Sequence, residues 1–161
     1  MKDIFLTKAL KKIYLEDYLK AIDLENEFWR IEDFLIQKLN LINSNSQIQT
    51  LYSKYGGDEI LFNKSYLVFC YTKEVEEKIF KIVIPKITSK FSDLPKSICT
   101  YKFEYPRANE NYKGDVISEI SCTDNKEHFR INHIRLELKS RRKDIHQKFW
   151  DFISQELSVL I

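Results

Sequence analysis

The 161 residues are 43% hydrophobic and 14% aromatic, and 26 Lys and Arg against 24 Asp and Glu leave a net charge of +2. So much apolar surface is incompatible with a disordered chain, and the near-balance of charge argues against a nucleic-acid coat or a polybasic membrane binder. No run approaches the ~20 apolar residues of a membrane span, and MKDIFLTKALKK, with Asp3 inside its apolar patch, lacks the cleavage site of a signal peptide.

With only 3 Gly and 3 Pro, long linkers are not expected. Residues 1–161 should form a single domain, helical over 1–55 and α/β over 59–161. Cys70, Cys99 and Cys122 sit in strand-like apolar segments without a CxxC pair, and His128, His133 and His146 complete no zinc pattern. The cysteines read as buried small hydrophobes in a reducing cytoplasm.

In chain order, residues 3–22 predict a first helix carrying Leu6, Leu10, Ile13 and Tyr14. Asp23 is the expected N-cap of a second, whose stripe is Leu24, Phe28, Ile31, Leu35, Leu39 and Ile42. After the turn-rich NSNSQ, a short helix over 47–54 should close on Gly56–Gly57 in a left-handed cap. YLVFCYT (66–72) predicts a buried strand. Val75 to Phe91 follow helical spacing, kinked or restarted at Pro85, although IFKIVI also reads as a strand. ICTYKFEY (98–105) is a strand, 115–123 and 128–139 form a hairpin around DNKE, and Ile145 to Leu160 line a closing helix. The fold class is α+β: N-terminal helices, then a mixed or mainly antiparallel sheet of about four strands in the order ααα-β-α-β-β-β-α, with helices packed against it.

In that hairpin Cys122 and Ile120 pair with Phe129 and Ile131, and a bulge near Asn132–His133 restores the parity of Ile134, Leu136 and Leu138. Asp115 then stands opposite Glu137, with Lys139 beside them. Two carboxylates and a lysine on adjacent strands suit Mg²⁺ and an activated water, so Asp115, Glu137 and Lys139 are the candidate catalytic set and Asp115 and Glu137 the candidate metal ligands. Gly114–Asp115 and Glu137–Leu138–Lys139 partly resemble the PD-(D/E)xK nuclease superfamily over residues 73–160 at most. The resemblance implies metal binding by Asp115 and Glu137 and water activation by Lys139. Its final core strand has no counterpart after the last helix and would have to come from residues 66–72. The competing reading is a solvated sheet face and no cofactor at all.

A basic run follows, with Ser140 as expected N-cap and Arg141, Arg142 and Lys143 in the first turn of the closing helix. Cations there oppose the helix dipole, so a bound anion would relieve them. Glu25, Glu27 and Asp33, with Trp29 as anchor, form an acidic candidate face for a basic protein partner. The two patches could also meet in a dimer. A bulge between His128 and His133 would bring them to one side as an acid–base pair, and His146 reads as a surface residue.

The function expected from this pattern is a non-enzymatic, cytoplasmic protein-binding domain. A small bacterial inhibitor or immunity-type protein that neutralises a toxin is its finer form. The alternative is a metal-dependent nuclease or nucleic-acid-binding protein using residues 115–143.

Overall fold

A computed structural model describes residues 5–29, 33–56, 63–104, 120–121 and 131–161, with the side chains of 24–29, 120 and 121 not described. The elements are α1 (Lys8–Trp29), α2 (Asp33–Asn43), β1 (Ile48–Lys54), β2 (Lys64–Tyr71), α3 (Glu76–Lys78), α4 (Ile84–Ser92), β3 (Ile98–Glu104), β4 (Ile120–Ser121), β5 (His133–Lys139) and α5 (Lys143–Ser158). A 3₁₀ turn (Lys73–Val75) precedes α3 and a π turn (Ile79–Val83) joins it to α4. All strand pairs are antiparallel, in the order β3-β5-β2-β1-β4. The α+β class is as expected from the sequence.

Several elements depart from the sequence reading, each for a local reason. Helix α1 runs through Asp23 without a break, because Tyr14, Tyr18 and Ile22 continue one buried stripe at four-residue spacing. Its cap is Thr7, whose hydroxyl accepts from the Leu10 N–H at 3.2 Å. Residues 48–54 are a strand rather than a third helix. Its ladder to β2 slips between Thr50 and Tyr52, and this bulge puts Leu51 and Tyr52 into the same apolar cluster. Gly56 does take a left-handed φ of 75°, but it follows a strand. IFKIVI is helical, and Pro85, which has no N–H to give and clashes with the carbonyl four residues back, accounts for the widened π turn before it.

The sheet buries both faces unequally. On its core face, Leu67, Phe69 and Tyr71 of β2 and Ile134, Leu136 and Leu138 of β5 pack on α2, α4 and α5. On the outer face Leu6, Leu10 and Tyr14 cover Leu51, Tyr52, Tyr66, Val68 and Cys70. Lys11 bridges this helix to its neighbours. Its ammonium donates to the Asn43 carbonyl at 2.9 Å, to the Ile48 carbonyl and to Gln49 Oε1 at 2.9 Å, and burial pushes its pKa down to about 8. No helix among the described residues is long and apolar enough to cross a membrane.

Candidate functional site

Strand β5 lies between β3 and β2, not in a hairpin with 115–123. Its register is unbroken from His133 to Lys139 against both neighbours, so no bulge falls inside it. Glu137 faces Tyr66 on one side and Thr100 on the other, so both cross-strand places beside it are taken. The same topology forces the change: Ile134, Leu136 and Leu138 are all fully buried, as a central strand requires. Asp115, Cys122 and His128 lie outside the described residues, as do the side chains of Glu25, Glu27 and Trp29; Asp33 opens α2 and is exposed.

The outer face over β5 and β3, with Lys64 at the end of β2, is a grid of charge. Its rows are Lys64, Lys139 and Ile98, then Tyr66, Glu137 and Thr100, then Val68, Arg135 and Lys102, then Cys70, His133 and Glu104. The Arg135 guanidinium stacks 4.1 Å above the Tyr66 ring and binds Glu137 at 3.1 Å. Lys64 approaches the other oxygen of Glu137 at 3.5 Å and Lys139 at 3.8 Å. Three cations therefore compete for the carboxylate that the sequence reading offered to a metal. At the far end His133 is buried, its Nδ1 at 2.8 Å from the Ile131 carbonyl and its Nε2 at 2.8 Å from Glu104, which also holds Lys102 at 2.9 Å. Among the described residues no group of three or more His, Cys, Asp and Glu is placed to hold a metal ion. Cys70 and Cys99 are buried, and burial pushes the Cys99 thiol up to about 12, far from a reactive thiolate.

The basic run starts later as a helix than its composition suggests. The residue capping α5 is Arg142, in extended backbone, so Arg141 and Arg142 precede the helix and only Lys143 lies in its first turn. Ser140 instead works inside the turn: its hydroxyl accepts from the Arg142 N–H at 3.2 Å and its backbone N–H donates to the Asn63 carbonyl at 3.1 Å. His146 is fully buried, correcting the surface reading, because it anchors this turn. Its Nε2 donates to the Ser140 carbonyl at 2.6 Å, which leaves Nδ1 to accept from the Ser65 hydroxyl at 2.7 Å. Burial holds the imidazole pKa below its usual value, with the Ser140 carbonyl pulling the other way.

The pinned turn forms one wall of a cleft of about 600 Å³, lined by Asn63, Pro95, Lys96, Ile98, Lys139, Ser140, Arg141 and Arg142. Among these described residues four are cations and none is an acid. Arg142 is committed to Asp144 through bonds of 3.1 and 2.6 Å, which hold that carboxyl below the usual range. The arrangement brings together Arg141, Arg142 and Lys139, which the sequence assigned to two different sites. It adds Lys96, which was missed; its φ of 64° closes the turn after α4, and no periodic pattern marks such a residue. No family model matches the chain, and neither a curated protein nor a solved structure matches it.

Proposed function

We propose that the chain is a non-enzymatic, cytoplasmic protein-binding domain whose partner lays an acidic surface on the outer face of β5 and β3, with Lys64 of β2 at its border. A small bacterial inhibitor or immunity-type protein that neutralises a toxin is the finer form of this reading. The observation that carries it is the charge grid. Lys64, Lys102, Arg135 and Lys139 stand on rigid strands, while the two acids among them, Glu104 and Glu137, are already engaged by neighbouring side chains. Arg135 is held between Tyr66 and Glu137 before any partner arrives, so little rotamer freedom is left to lose on binding. Such a surface speeds encounter and selects partners by charge. Glu25, Glu27, Trp29 and Asp33 would then meet a basic part of the same partner. The second reading, a nuclease or nucleic-acid binder, is favoured by the basic cleft alone.

The test places a photo-crosslinking amino acid at Thr100, an exposed position in the middle of the grid, in the full chain expressed in its own cells. A discrete protein adduct that disappears with Lys102→Glu is the expected result. Adducts indifferent to Lys102→Glu, or removed by nuclease treatment, refute the reading.

A further inference from the structure

We infer that the cleft between the α4–β3 turn and the β5–α5 turn binds a phosphate monoester, its phosphoryl group among Lys96, Lys139, Ser140 and Arg141 and its organic part against Pro95 and Ile98. The site adjoins the end of the proposed protein-binding face, with which it shares Lys139, and it does not depend on that reading. Two observations converge. The first is the cavity itself, whose volume falls in the usual ~300–1,000 Å³ range of small-ligand sites and whose lining carries cations from two segments distant in sequence.

The second is an unspent proton. Ser97 and Ser140 are both buried, at 4% and 6% exposure, and their hydroxyls share one hydrogen bond of 3.1 Å. Two hydroxyls carry two protons. With the Ser97 hydroxyl donating, as the Arg142 N–H also does, Ser140 Oγ keeps its own proton to give to a group in the cleft. Ser140 lines the cleft, so that proton is available to an acceptor held there. An incoming oxyanion supplies the acceptor.

The ligand class follows from the donor set. A phosphoryl dianion offers three acceptor oxygens and nearly two charges, matching a hydroxyl, two ammonium groups and a guanidinium. Ile98 is 58% exposed and with Pro95 gives the organic part an apolar rest. A nucleic-acid strand suits the cleft less well, because among the described residues no aromatic side chain lines it to stack a base.

The experiment titrates ¹⁵N-labelled full-length protein at fixed ionic strength with inorganic phosphate, phenyl phosphate, and a single-stranded oligonucleotide carrying only internal diesters. The expected result is saturable shifts confined to amides around Asn63, Lys96, Ile98 and Ser140–Arg142, with phenyl phosphate about fivefold tighter than phosphate. Lys96→Glu and Arg141→Glu should each weaken phenyl phosphate by about tenfold or more, and because both side chains are exposed the spectrum should remain that of the folded protein. Non-saturating shifts shared by exposed lysines generally, or an oligonucleotide that binds as tightly as phenyl phosphate, would overturn the inference. Adduct formation at Thr100 is unaffected by either reversal, so the two proposals fail separately.

Discussion

Burial of His146 couples stability to pH. Its imidazole donates to the Ser140 carbonyl and accepts from Ser65, an arrangement that needs the neutral ring. The unfolded chain titrates near pH 6.5, and the folded protein below it. Between those two values the unfolded state binds more protons, so the contribution is complete above pH 6.5 and is lost as pH falls, by up to ~1.4 kcal/mol per pH unit. Urea unfolding at pH 7.5 and 5.5 should show His146→Gln less stable than the wild type at the higher pH and closer to it at the lower. Parallel losses in both proteins would mean that His146 does not titrate on unfolding. Nothing in the spacing of IHQKFW marks this residue, since its partners come from β2 and from a turn six residues upstream. Glu137 teaches the complementary lesson. Its alternation with Leu136 and Leu138 correctly put it off the core face, but the three cations that occupy it are set by strand order, which alternation does not encode.

At the scale of elements, caps and bulges decide where local reading succeeds. Thr7 bonds the Leu10 N–H and starts α1, whereas Asp23 is an exposed residue within it. Thr7→Ala should therefore cost ~1 kcal/mol and Asp23→Ala less than ~0.5, measured by chemical denaturation. The reverse order would show that two helices meet at Asp23 after all. The misreading of 48–54 has a definite cause. Ile48, Leu51, Tyr52 and Tyr55 recur at three- and four-residue intervals, which is the signature of a helix face. Here the bulge after Thr50 generates that spacing by moving Leu51 out of strict alternation and onto the outer face beside Tyr52. Strands without a bulge, β2 and β5, were legible from their apolar alternation or continuity. Which strands lie beside them was not legible, because pairing β5 with β3 and β2 joins segments that lie far apart in the chain.

Across the whole molecule the sheet separates two apolar clusters of very different size. The larger joins α2, α4 and α5 to the core face and includes Phe69, Phe91, Phe149 and Trp150. The smaller joins the first half of α1 to the outer face through Leu6, Leu10 and Tyr14, with the Leu6 N–H tied to the Tyr71 carbonyl at 2.8 Å. Loss of a side chain from the larger cluster removes contacts shared by every layer, and Phe149→Ala should cost ~3–5 kcal/mol of global stability. Tyr14 is as deeply buried, yet its neighbours belong to one helix and the face it covers. Its removal should let the start of α1 open while the sheet survives, which is the sub-global behaviour expected of a thinly attached element. Hydrogen exchange distinguishes the two. In Tyr14→Ala the amides of 10–18 should lose protection while those of β2 and β5 keep theirs; in Phe149→Ala all should fall together. Uniform loss in both variants would make the two clusters one cooperative unit, joined by α1, whose Tyr18 and Ile22 belong to the larger cluster, and by the Lys11 ammonium bonded to Asn43, Ile48 and Gln49.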